Sequence, residues 1–455
     1  MDTKDHPRRA RWGKVVASVV LVGAVGGLAA AGAALLLTGV PEGRRPTAPI
    51  QILSPIVAAR GDAAHASWGG TIPAGRLRVA WRHTDPSGPP FTAALAANGM
   101  IFTSSDALHA LGRDGELRWT FSPPGHVSAP VLVDQLVVVS FVDPATATLH
   151  VRALEQRSGG ERWRFSHPAP DAVYARVAAS SDAIVIASDV TGSTNVWMLR
   201  TDGGMLWSAT AKGSPMEYPP ALGRDVVALA TQPPVRFDFR DGHTNLLCDS
   251  VEYLHHGGTP FCRGRPNPRL VEVFDATSGA WLWGAPGAAE RTGPPVIAGD
   301  VVVTVARRGI HERGPDRLVV YAVATGERVA SEADPMRATG QFGVSGKTAY
   351  VRWGSGLSAL MLPRLEERWR VPNPGAILAM LPTPDGVVLA LGEEVRLLRP
   401  GVDGGRIATL PRTRGTFFSG LPNPVAMTST GGALLVATYD RELFALIPER
   451  APTRP

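Results

Sequence analysis

ALHALGRDGELRWTF (107–121) reads as an apolar strand, a glycine turn and a second strand that carries a tryptophan. The chain writes the unit again as VRALEQRSGGERWRF (151–165), VWMLRTDGGMLWSA (196–209) and VEVFDATSGAWLWGA (271–285). Trp119, Trp163, Trp207 and Trp283 hold the same place in each. Weaker copies, VVYAVATGERVAS (319–331), LSALMLPRLEERWRV (357–371) and VRLLRPGVDGGRIAT (395–409), put Val329, Trp369 and Ile407 there. The intervals are 44, 44, 76, 46, 40 and 38 residues, the 76 holding an insertion. Four short strands and their turns fill about 40–50 residues, which is one blade of a β-propeller.

An eighth copy, GGALLVATYDRELFALIPE (431–449), stops after its third strand. The missing outer strand is RLRVAWRHT (76–84), whose Trp81 precedes Trp119 by 38 residues, in phase with the rest. Pairing it into the last blade closes a ring and removes two exposed sheet edges, which a stacked solenoid would leave open. The pattern predicts an all-β, eight-bladed propeller over 76–450, with seven blades as the alternative because the seventh copy lacks a tryptophan. An indole buries on the order of 150–250 Å² and donates its N–H to a nearby carbonyl. Trp81, Trp119, Trp163, Trp207, Trp283 and Trp369 are therefore expected to clasp each blade to the next rather than to hold a cofactor.

Composition agrees with short strands and turns. Of 455 residues, 50 are Gly and 40 Pro, yet 44% are hydrophobic and only 19% charged, which excludes a disordered chain. The net charge of +6 is concentrated at the start: residues 1–14 hold five basic and two acidic residues, so +3 remains for the other 441. No basic stripe with interleaved aromatics exists, and nucleic acid is not expected as a partner.

Residues 15–40 are 26 residues without a charge. As a helix at about 1.5 Å per residue they extend roughly 39 Å, beyond the roughly 30 Å hydrocarbon core. The expectation is one N-terminal transmembrane helix, with residues 1–14 as a cytoplasmic basic tail and the propeller extracytoplasmic. A cleaved signal peptide, with small residues at Ala29-Ala30-Ala31, is the competing reading. Residues 41–75, rich in Pro, Gly and Ala, read as a linker.

The turn-and-tryptophan pattern, in Thr277-Ser278-Gly279 before Trp283 and Arg113-Asp114-Gly115 before Trp119, resembles the pyrroloquinoline-quinone (PQQ)-like β-propellers. The resemblance covers 76–450 and implies the fold. The family holds both quinoprotein dehydrogenases and cofactor-free scaffolds such as the lipoprotein of the outer-membrane barrel-assembly machine. The dehydrogenases carry adjacent cysteines over the cofactor and calcium-ligating acids. Here the only cysteines are Cys248 and Cys262, and no CxxCH haem motif occurs. No catalytic residue, metal ligand or cofactor is expected.

Function is expected on loops. Those joining second to third strands are short in blades one, six, seven and eight and longer in blades two to five: 142–147, 189–194, 306–317 and above all 231–269. The last insertion contains both cysteines. A disulfide between them would close 15 residues, stabilising by about 3 kcal/mol in the chain-entropy model. A metal site using His243, His255 and His256 is the alternative, but Cys-x13-Cys matches no common zinc spacing. Arg236, Phe237, Phe239, Arg240, Tyr253, Phe261 and Arg263 are the candidate partner-binding residues, supplying apolar surface and charge-assisted donors. Gly340–Thr348 imitates a phosphate-binding loop, but Gln341 stands where glycine is required and a strand follows instead of a helix. The expected function is a non-catalytic module that binds a protein or cell-envelope component. The alternative is a PQQ-dependent or sugar-directed oxidoreductase with a degenerate site.

Overall fold

The structure is a computed structural model. It describes residues 48–52, 71–85, 88–169, 172, 175–190, 193–211, 214–215, 218–232, 235–238, 243–246, 251–252, 261–262, 269–286, 291–307, 317–333, 342–353, 356–400, 402–411 and 424–449. These form eight antiparallel blades, each crossed by consecutive hairpins. Blade 1 runs outward through Leu95–Ala97, Met100–Ser104, Leu108–Gly112 and Leu117–Phe121. Its third strand is buried at every position, while its outer strand is largely exposed. Both faces of an inner strand press on neighbouring blades, so these strands read as unbroken apolar runs rather than as an alternation. The core consequently lies between blades: Val138 and Val151 of blade 2 cluster with Val177 and Ile186 of blade 3.

Blade 8 is assembled from both ends of the sequence. Pro424–Ser429, Leu434–Thr438 and Glu442–Pro448 supply three strands, and Leu77–Thr84 supplies the fourth. The register sets Trp81 opposite Ala445 and Leu77 opposite Pro448. The expected closure is thereby observed, and the ring has eight blades.

Five tryptophans form the expected clasp. The indole nitrogens of Trp81, Trp119, Trp163, Trp207 and Trp283 donate to the carbonyls of Arg113, Gln156, Thr201, Ala276 and Val323 at 2.6–3.0 Å, each in the following blade. Beneath each indole lies a turn glycine, Gly115, Gly159, Gly203, Gly279 or Gly326, with φ between 71° and 88°. A Cβ on any of them would stand within 3.0 Å of the indole. Trp369 holds the same register, opposite Ala359, and packs on Tyr350 with ring centroids 5.9 Å apart.

Val329 and Ile407 do not occupy the tryptophan place. A β-bulge precedes that place in every outer strand, and these two are the extra residues. Ala330, opposite Val320, and Ala408, opposite Val395, stand there instead. The intervals from Trp283 thus become 47, 39 and 39. Where alanine replaces tryptophan, leucine replaces the glycine of the next blade. Leu365 takes the turn position at φ 62° and buries its side chain in the cluster against which Ala330 packs. Leu77, at the start of the last blade's outer strand, is buried with Ala408.

Parts of the stretch read as a linker dock on the propeller. Ile50 is 1% exposed, and its N–H donates at 2.9 Å to the Arg113 carbonyl that also accepts Trp81. Thr430 and Ser429 donate their hydroxyls to the carbonyls of Gln51 and Thr71. Residues 1–14 and the apolar run 15–40 lie outside the described residues, among which no helix is long and apolar enough to cross a membrane.

Candidate functional site

Two kinds of connection share one end of the blades: those from second to third strand, and those from an outer strand to the next inner one. The large insertion leaves from this end, between Val226–Gln232 and Arg269–Asp275 of blade 4. Within it the backbone forms two ribbons, Val235–Asp238 paired with His243–Leu246, and Val251–Glu252 paired with Phe261–Cys262. Arg236 and Phe237 lie opposite Asn245 and Thr244, and Phe261 lies opposite Glu252. Phe239, Arg240, Tyr253, Arg263, Cys248, His255 and His256 lie outside the described residues, and so does the expected Cys248–Cys262 bond.

Two of the other long loops are largely strand. In blade 2, Leu136–Asp143 pairs with Thr148–Glu155 to its tip, leaving only 144–147 as a turn. In blade 3 the ladder continues through Asp189 opposite Thr194 and Val190 opposite Ser193. Prolonged hairpins, not loose loops, raise this side of the face. Residues 308–316 of the fourth loop lie outside the described residues.

Buried hydroxyls line the inner ends of the blades on this face. Ser104 donates across to the carbonyl of Ser128 in the link to blade 2; nearer the other end, Thr428 of blade 8 donates to Ala94 at the start of blade 1. Thr103 and Thr304 each return a bond to the strand-entry carbonyls of Thr92 and Gly293. Every such bond satisfies a buried backbone acceptor, so the hydroxyls act first as structural ties.

One ionisable cluster was not legible in the sequence. Asp85 Oδ2 accepts from Ser105 Oγ at 3.0 Å and lies 3.3 Å from His109 Nε2, itself 3.3 Å from Ser105 Oγ. His83, Phe91 and His109 stack around it with centroids 5.6–5.9 Å apart. Burial lowers the pKa of both histidines; His109 depresses His83 further, and Asp85 partly offsets the effect in each. Both imidazoles are thus biased toward the neutral form. The group is not a hydrolytic triad, since the carboxylate and the hydroxyl meet the same imidazole nitrogen, whereas a relay needs one on each. His109 Nδ1 and His83 Nε2 have no hydrogen-bond partner among the described residues.

A quinone with its calcium ion would require several acidic or thiol side chains converging on one point. Among the described residues no three or more His, Cys, Asp or Glu side chains are placed to hold a metal ion. The buried ties named above are neutral hydroxyls, and Asp85 is engaged by Ser105 and His109. These residues do not fit that group.

The family model of the outer membrane protein assembly factor BamB matches residues 74–329. No curated protein matches the chain. Among solved structures, BamB from Moraxella catarrhalis is 12% identical with a TM-score of 0.53, over 82% of this chain and all of its own. The computationally designed protein Ika8 is 13% identical with a TM-score of 0.56, over 82% of this chain and 100% of its own. A quinohemoprotein alcohol dehydrogenase from Comamonas testosteroni is 12% identical with a TM-score of 0.55, over 94% and 86% respectively. A designed protein, an assembly factor and a dehydrogenase match about equally well, so the likeness shows the fold alone.

Proposed function

The chain belongs to the family of the outer membrane protein assembly factor BamB, and from that premise we propose that it is a non-catalytic propeller that binds a protein partner in the cell envelope. The observation that carries this reading is the insertion of blade 4. It adds two ribbons to the face that the prolonged hairpins of blades 2 and 3 already raise. A rigid scaffold carrying one enlarged loop is the arrangement in which binding concentrates. On this reading residues 15–40 anchor the chain in the membrane with residues 1–14 in the cytoplasm, and the propeller stands outside it. The Cys248–Cys262 bond restricts the insertion, while Arg236, Phe237, Phe239, Arg240, Tyr253, Phe261 and Arg263 supply its contact surface.

The test replaces 233–268 by a short Gly-Ser turn and compares pull-downs from solubilised membranes. Loss of the partner with an unchanged melting temperature supports the proposal, whereas recovery at wild-type yield overturns it. The dehydrogenase neighbour favours a second reading, an oxidoreductase with a degenerate site. Stoichiometric uptake of PQQ in the presence of Ca²⁺, followed by absorbance, would establish that reading in place of the first.

A further inference from the structure

Of the eight joints between blades, five carry an indole over a glycine, two carry alanine over leucine, and the joint of blades 6 and 7 carries Trp369 packed on Tyr350. At the joint of blades 5 and 6 the exchange is complete, because Leu362 and Leu365, each 7% exposed, fill the space with Phe342 and Val320. At the joint of blades 7 and 8 it is not. There the hairpin that would carry the turn is interrupted: Leu77 begins a strand, and Pro448 opposite it ends one. A cleft of about 260 Å³ remains, lined by Arg76, Leu77, Val79, Arg406, Ala408 and Glu449 among others. It lies at the end of the blades opposite the insertion.

Its chemistry is one-sided. Leu77 and Ala408 lie buried beneath the cleft, with Val79 and Ile407 packed on the same cluster, while the walls are mostly polar. Arg76, Arg78 and Arg406 rise around it, against the single acid Glu449. Arg406 lies 3.8 Å from Glu394, while the guanidinium groups of Arg76 and Arg78 make no ion pair among the described residues. The volume falls just short of the roughly 300–1,000 Å³ of small-molecule pockets and suits one large side chain. Arginine stacks on aromatic faces and pairs with carboxylates.

We propose that this joint is a docking site for an acidic peptide segment, whose aromatic side chain enters the place left by the missing indole while its carboxylates meet Arg76 and Arg78. The partner thus completes, from outside, the clasp that the chain itself supplies at five other joints.

The experiment titrates the full chain in detergent with acetyl-Asp-Trp-Asp-amide and acetyl-Lys-Trp-Lys-amide, following saturation transfer to the peptide indole by NMR. The acidic peptide is expected to bind at least tenfold more tightly than the basic one. Arg78→Glu, at an exposed position, should weaken it at least fivefold. The double variant Leu77→Gly/Ala408→Trp rebuilds the internal clasp and should abolish binding with a melting temperature no lower than that of the parent. If that variant does not fold, Arg78→Glu decides alone. Equal affinity for the two peptides, absence of binding by the acidic one, or an unchanged affinity in Arg78→Glu would overturn the proposal.

Discussion

Gly115 and Gly99 share a left-handed backbone, at φ 79° and 80°, but not an environment. A Cβ on Gly99 meets nothing within 4 Å, whereas one on Gly115 falls 2.5 Å from Cδ2 of Trp81. The left-handed conformation alone costs an L-residue about 1–2 kcal/mol. Displacing a packed indole adds roughly 1–3 kcal/mol. Gly99→Ala should therefore destabilise by the first amount and Gly115→Ala by the sum, as read from urea denaturation midpoints. Equal losses would mean that the indole yields freely and that the clasp is loose. The same crowding explains why the exchanges come in pairs. Leucine takes the glycine place only where the preceding blade offers alanine, as at Leu365 with Ala330.

At the scale of the element, the outer strand Leu77–Thr84 closes the ring and also brings His83 to the ionisable cluster. Both histidines have their pKa lowered in the fold, chiefly by burial. The unfolded chain then takes up protons that the folded one refuses, and stability falls as pH drops below the ordinary imidazole value of about 6.5. Above that value the contribution is fully present. Denaturation midpoints measured from pH 8 to pH 5 should show the decline, and His109→Gln should flatten it. A slope unchanged in that variant would place its origin elsewhere. Deleting residues 76–84 removes Trp81 and opens the edge of Glu442–Pro448, and should lower the melting temperature far more than the loss of the 233–268 insertion. Adding the 76–84 peptide back at high concentration should restore part of it. A truncated chain that melts like the parent would refute closure as a source of stability.

For the whole molecule, the blade number, the ring closure and the tryptophan clasp were readable from the sequence, because each is a local pattern repeated in phase. What escaped had other causes. Val329 and Ile407 are apolar and fall in phase with the tryptophans, but a bulge inserts one residue there, and the true occupants are the inconspicuous Ala330 and Ala408. Strands that continue past the blade rim made 142–147 and 189–194 look like loops. The cluster of His83, Asp85 and His109 joins residues from two blades that no motif links, so nothing in the chain marked it. The proposed anchor is tested on intact spheroplasts. External protease should digest the propeller and leave a short membrane-bound fragment containing 15–40. A mature chain beginning near Ala34 would identify a signal peptide instead.

Blade 8 also imposes an order in time. Leu77 pairs with Pro448, a partner made 371 residues later. At a synthesis rate of about 5–20 residues per second, the first strand waits roughly 20–70 s for its neighbour. During that interval it is an unpaired edge bearing Trp81, the kind of segment that recruits the wrong strand from another chain. Biogenesis of this protein is accordingly most vulnerable before Pro424–Pro448 emerge, and a ribosome stalled short of them releases an open, adhesive arc rather than a smaller ring.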